Sequence, residues 1–405
     1  MDELELVVGI DRWSVRLPED RRIPLTRNSQ GIGLTALPDP RIALQTALRA
    51  PLRFESLTRI LTPDDLIILV FDERLPDRVG LLVAIIDELK LAGVTPDQVT
   101  ILTPTGSQQA WLDDLPASVQ EVKVEIHDPT ERKKLSYLAT TKLGRRIYLN
   151  KSLIDADQII VLTGRRPDAY LGEIGGATAL WPRFSDTEAC DGILATWTRK
   201  GRDEFVTHLQ AEATEVLALL GLPFIIEVVE AGNDGIAAIV AGRGDIATDV
   251  QAIFTSRWTA TVPQRAALVI ATISGDPRRH DLAELSQALR TASAVVEPGG
   301  RIVLLSQITP TLTESMQALR QADEPGDAVQ QLGKYRPVDR IPAIDWGMAA
   351  HRSRLSIACG IDEVILEELS AQTVRDVRAV QRLIDACESV LVLPDAHQMR
   401  VRVLA

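Results

Sequence analysis

Short, uninterrupted apolar runs alternate with segments of helical spacing along most of this chain. The first strong run is Asp65-Leu-Ile-Ile-Leu-Val-Phe71. A run of that length and β-branched content suits a strand buried on both faces. After the polar turn 72–77, Val79, Leu82, Val83, Ile86 and Leu89 recur at helical spacing, and Gly93 closes the helix. Val99–Thr103 then reads as a second strand, which makes a βαβ unit and implies a parallel pair. Strands are predicted again at 122–126, 158–162, 224–229 and 236–240, with a helix over 204–220 and a hairpin turn at Gly232-Asn-Asp-Gly235. Leu4 to Ile10 reads as an opening strand and Ile42 to Leu48 as a helix.

The stretch 256–263 has no clear period, and a new βαβ series starts after it. Ala267–Ile273 is its first strand, and Leu282, Leu285 and Leu289 mark one face of the next helix. Pro298-Gly-Gly300 reads as a turn into the strand 302–305, and further strands are predicted at 363–366 and 389–393. The fold class expected is α/β: two domains, 1–262 and 263–405, with mainly parallel sheets and a cleft between them. Ligands bind beyond the carboxyl ends of such strands, so the loops opening at Asp72, Pro104, Gly164 and Ser274 are the places to look.

Composition narrows the partners. At 405 residues the chain is too long for one ordinary core. A formal charge of −12 without a basic run argues against a nucleic-acid partner. No apolar run reaches the roughly 20 residues of a membrane span, so no membrane partner is expected. Cys190, Cys359 and Cys387 are scattered, and the acidic start MDELELVVGI is unlike a secretory leader, so the expected location is cytoplasmic. The histidines have no metal-ligand spacing, and no metal site is expected from them.

Each loop carries chemistry that a plain turn would also explain. Asp72, Glu73 and Arg74 follow the first buried strand, and an arginine there could grip a carboxylate or phosphate. Thr105, Gly106 and Ser107 could present N–H groups to an anion, or simply cap a helix. The segment Leu162–Gly176 gathers Gly164, Gly172, Gly175 and Gly176 around Arg165, Arg166 and Asp168. Glycine at that density means tight turns or close approach to a ligand. Ser274, Arg278, Arg279 and His280 could meet an anion from the second domain.

Taken in order, these segments resemble the nickel-pincer lactate racemase family, the 2-hydroxyacid racemases and epimerases. The resemblance rests on Leu17-Pro-Glu-Asp20, Leu37-Pro-Asp-Pro40, the strand ending at Asp72 and Arg74, the loop through Thr105 and Gly106, His127-Asp128, Tyr137–Thr141, Asn150-Lys151, the glycine-rich segment 167–176, and 274–300. It implies a pincer nucleotide tethered to a lysine and holding nickel, with two histidines moving the hydroxyl proton. At the positions the resemblance gives those residues stand Thr178 for the lysine and Gln108 and Asp168 for the histidines. Asp72, Arg74, Thr105, Gly106, Gly175 and Gly176 keep the implied cofactor side; Arg74, Ser274, Arg278, Arg279 and Trp346 keep the implied substrate side. Threonine has no amine, so covalent attachment is not expected. Glutamine is no base at neutral pH, while Asp168 could accept a proton. Two functions follow: a degenerate relative that binds a 2-hydroxyacid or nucleotide-like anion without turnover, or an active isomerase holding its cofactor noncovalently.

Overall fold

The computed structural model describes residues 2–27, 35–107, 109, 111–200, 202–244, 246–335, 337 and 339–404. Two parallel sheets carry the fold. The first has six strands in the order Gly235–Arg243, Phe224–Gly232, Gln158–Gly164, Ile67–Phe71, Val99–Thr103 and Lys123–Ile126. Only the pair 224–232 and 235–243 is antiparallel. Its tight turn needs the positive φ that Asn233 and Asp234 adopt. The second sheet has five strands, all parallel, in the order Ala371–Thr373, Arg354–Ala358, Val296–Leu305, Ala266–Thr272 and Val390–Leu393.

Both sheets are covered on both faces, which explains their unbroken apolar runs. The helices Pro40–Arg49 and Arg78–Leu91 bring Leu44, Leu48, Leu82, Ile85 and Leu89 against Leu69, Ile101 and Ile226 of the first sheet. The helices Leu282–Ser293 and Arg340–Arg352 cover one face of the second sheet with Leu285, Leu289 and Trp346. Its other face meets the helix Val377–Asp385 and the opening hairpin, Asp2–Val8 paired with Asp11–Leu17. Leu6, Val8, Val15 and Leu17 thus complete a core whose sheet lies some 250 residues further along. One hydrophobic core runs continuously from Val70 and Val161 of the first sheet to Val269 and Leu304 of the second.

Three expectations give way. Glu363–Leu366 is not a strand; Glu363–Glu368 is a helix capped by Asp362. Pro298–Gly300 is not a turn before a strand. The strand begins at Val296, and four residues are skipped in its register: Ala266 pairs with Val296, Leu268 with Arg301. The patternless stretch 256–263 holds the end of the helix Ala247–Trp258 and the strand Thr259–Val262. That strand joins Arg400–Val403 and Thr26–Arg27 in a small third sheet between the halves. No described helix is long and apolar enough to cross a membrane.

Candidate functional site

The glycine-rich segment leaves the strand Gln158–Gly164 and folds back as a short hairpin, Arg166–Asp168 against Gly172–Ile174. Two buried arginines anchor it. Arg165 grips Glu227, donating from Nε at 2.7 Å and Nη2 at 2.8 Å, and bonds Glu173 from Nη1 at 2.8 Å. Burial opposes the Arg165 charge, but Glu227 and Glu173 outweigh it and hold the guanidinium more firmly protonated than usual. Gly175 sits against this pair at φ +140°, and a Cβ there would lie 2.6 Å from the Arg165 guanidinium carbon. The glycine is required by both the dihedral and the space. Arg166 makes a bidentate pair with Asp72, at 2.6 and 3.0 Å. Burial pushes the Asp72 carboxyl up, yet Arg166, Arg183 and the Gly164 N–H together hold it well below the usual carboxylate range.

Above this floor opens a cavity of about 930 Å³ between the two halves. Its first-half wall includes Arg165, Glu173, Gly175 and Thr178; its second-half wall includes Gln287, Arg290, Met399 and Arg400. Gln287 and Arg290 lie one turn apart on the helix Leu282–Ser293 and face the same opening. Gln287 Oε1 and Arg290 Nη1 are buried atoms without a hydrogen-bond partner. Asp345 Oδ2, equally unpartnered, stands 3.8 Å behind Arg290 Nη1. Burial pushes the Asp345 carboxyl up to about 6, against the pull of Arg290. Buried polar atoms without a hydrogen bond are costly, which sets this wall apart from the fully paired arginine hairpin opposite it. Thr178 donates its hydroxyl to the carbonyls of Gly175 at 2.9 Å and Glu173 at 3.1 Å.

The other expected residues are gathered but otherwise engaged. Arg74 was expected to hold a ligand anion; instead it crosses to the second half, where Glu284 at 2.6 Å and Asp281 occupy its fork. Arg279 was expected on the substrate too. It is buried and reaches the other way, to Glu230 at 2.5 Å and Asp234. Arg278 lies exposed and folds onto its neighbour Asp276. Ser274 donates to Asp395 at 2.6 Å and accepts from Asn233 N–H. Trp346 is fully buried, with its indole N–H on the Leu369 carbonyl, so it is a core residue and not a cleft wall. The Asp168 carboxylate accepts from the N–H groups of Tyr170 and Leu171 through Oδ1, which fits a turn-capping residue better than a base. Thr105 bonds the His127 carbonyl at 2.8 Å. Gly106, at φ +82°, edges a small pocket of about 60 Å³ with Arg74, Arg279 and His280. Gly176 turns the chain at φ +54° beside Glu227. Gln108 lies outside the described residues.

Several residues of this site went unnoticed in the sequence. Glu227 and Glu230 interrupt an otherwise apolar strand, Phe224–Gly232, and a buried charge in such a run is a usable signal. Arg290 and Gln287 look like ordinary polar positions of an amphipathic helix. His397 shows nothing by spacing; it packs edge-on against His280, ring centres 5.0 Å apart, beneath Arg279. Among the described residues no group of three His, Cys, Asp or Glu side chains could hold a metal ion.

Two α/β halves closed over a polar cavity, with a glycine-rich arginine hairpin on one wall, define a class also found among known proteins. Residues 9–196 match the model of the lactate racemase N-terminal domain. The chain is 20% identical over 322 residues to the lactate racemase of Thermoanaerobacterium thermosaccharolyticum, covering 76% of this chain and 75% of that one. The apoprotein structure of lactate racemase from that organism superposes with a TM-score of 0.78 at 16% identity, over 99% of this chain and all of that one. A Thermotoga maritima protein superposes with a TM-score of 0.65 at 13% identity, over 91% of this chain and 99% of that one. Residues 9–196 thus match a lactate racemase N-terminal domain, and the chain as a whole has the fold of the lactate racemase apoprotein.

Proposed function

We propose that this protein binds a small organic anion, a 2-hydroxyacid or a nucleotide-like molecule, in the interdomain cavity and does not carry out family-type racemisation. The observation that carries this reading is the composition of the cavity wall. Arg290 Nη1, with only Asp345 at 3.8 Å, and Gln287 Oε1 make no hydrogen bond there, so one can donate to an anionic oxygen while the other accepts from a hydroxyl. Among the described residues that line the cavity there is no lysine, histidine or cysteine. A thioamide tether needs an amine, and nickel prefers nitrogen or sulfur donors. Thr178, at the position where the resemblance implies the lysine, spends its hydroxyl on two backbone carbonyls. The tethered pincer cofactor therefore does not fit this lining, and no reaction step is assigned to it.

The test has two arms. Thermal-shift titration with a panel of 2-hydroxyacids and nucleoside monophosphates is expected to raise Tm for at least one anion, with the shift reduced in Arg290→Met. Metal analysis and intact mass of protein produced together with cofactor-synthesis enzymes are expected to give neither stoichiometric nickel nor an added mass. Stoichiometric nickel, or interconversion of enantiomers followed by chiral chromatography, would favour an active isomerase and defeat this reading.

A further inference from the structure

Behind Arg290 lies a charge pair built differently from those of the arginine hairpin. Arg165 and Arg166 each hold a carboxylate through two hydrogen bonds, at 2.7 and 2.8 Å on Glu227 and at 2.6 and 3.0 Å on Asp72. Arg290 Nη1 stands 3.8 Å from Asp345 Oδ2, an ion contact too long for a hydrogen bond. Both atoms are buried, and neither has a hydrogen-bond partner. Asp345 is a buried residue of the helix Arg340–Arg352, which packs against the helix that carries Arg290. The Arg290 side chain, 25% exposed, reaches the interdomain cavity, whereas Asp345 stays behind its lining.

A buried carboxylate without a hydrogen-bond donor is costly to keep ionised, so its charge depends on the cations beside it. The helix Arg340–Arg352 packs against helices 282–293, 314–320 and 325–335 and strands 296–305 and 354–358. Of the charged groups on these elements, among the described residues, Arg290 is the one that acts on Asp345. Burial outweighs that pull and leaves the carboxyl at about 6. Burial also weakens the charge on Arg290, while Asp345 and Asp168 support it and Arg400 opposes it. An anion at Arg290 Nη1 competes with Asp345 for the same guanidinium and adds a second negative charge nearby. Both effects make Asp345 harder to ionise.

We propose that Asp345 is an internal counter-charge that regulates anion binding in the interdomain cavity: ionised, it occupies Arg290, and protonated, it leaves Arg290 to the ligand. This rests on the reading of that cavity as an anion site. By linkage, the complex holds a proton that the free protein releases, so binding takes up a proton and tightens as pH falls.

Calorimetric titration of the full chain with lactate and with sulfate, anions that keep their charge between about pH 8 and pH 5, tests it. Wild type is expected to bind about tenfold more tightly at the lower pH. Asp345→Asn, which mimics the protonated carboxyl and is expected to keep the wild-type circular dichroism, is expected to bind tightly at both. Infrared difference spectra without ligand, wild type minus Asp345→Asn, are expected to show a protonated carboxyl band that titrates near pH 6 and moves to higher pH when both proteins carry Arg290→Met. A pH-independent affinity in wild type, a pH dependence undiminished in Asp345→Asn, or a carboxyl band already lost at the lower pH would each overturn the inference alone. Binding of neither anion at either pH by either protein would defeat the reading of the cavity, and this inference with it.

Discussion

His397 illustrates how one buried side chain sets a pH dependence. It is 4% exposed, and its Nδ1 has no hydrogen-bond partner. Burial, against the pull of Asp395, lowers its pKa to about 4. In the unfolded chain the imidazole titrates near its ordinary value of about 6.5. Between those values the unfolded state binds the proton and the folded state does not, so stability falls as pH drops from about 6.5 towards 4, by up to roughly 3 kcal/mol. Asp345, raised to about 6, works the opposite way over part of that range, because the folded state holds its proton longer. The His397 contribution is isolated by His397→Gln. Its deficit against wild type in urea unfolding is expected to shrink between neutral pH and about pH 4.5. A deficit independent of pH would mean that His397 does not titrate as its burial dictates.

At the scale of elements, Glu363–Glu368 is instructive because its sequence reads both ways. Glu363-Val-Ile-Leu366 is an apolar run with β-branched residues, as strands have. Asp362 decides against that: its carboxylate accepts from Val364 N–H at 2.9 Å and starts a helix. Helical spacing then buries Leu366 and Leu369 together while Val364 stays 62% exposed. Asp362→Ala is expected to lower stability by about 1 kcal/mol, read from the urea midpoint at constant m. No change would show that tertiary packing alone holds the helix. The same competition explains why 78–91 and 282–293 were legible: both are long and strongly periodic, and the second carries a full capping box, Asp281 with Glu284.

Across the whole molecule, arginines join the halves. Arg74 crosses from the first half to Asp281 and Glu284, Arg279 returns to Glu230 and Asp234, and Arg400 reaches Glu173. Burial opposes the Arg74 charge, but Glu284 and Asp281 outweigh it and raise its pKa. The Arg74 side chain is 28% exposed and its partner Asp281 45%, so solvent screening reduces what the bridge contributes. Arg74→Ala is expected to cost about 1–3 kcal/mol, since it strands two acids at the interface. Urea unfolding measures it, and an unchanged midpoint would mean that the bridge serves orientation and not stability.

The alternating runs of apolar and polar residues were enough to give the α/β class, the parallel strand pairs and the glycine-rich segment that lines the cavity. Buried strands and amphipathic helices write their periods locally, and a glycine-rich turn after a strand is a local event too. Which partner each arginine takes was settled only by folding. Arg74 and Asp281 lie far apart in the chain and meet because the two halves share one continuous core, while Arg165 meets Glu227 because the strands 158–164 and 224–232 pair side by side in the first sheet. Spacing alone makes Arg74 and Arg279 look free for a ligand; the folded halves give them carboxylates of their own and leave buried polar atoms without hydrogen bonds on Gln287 and Arg290.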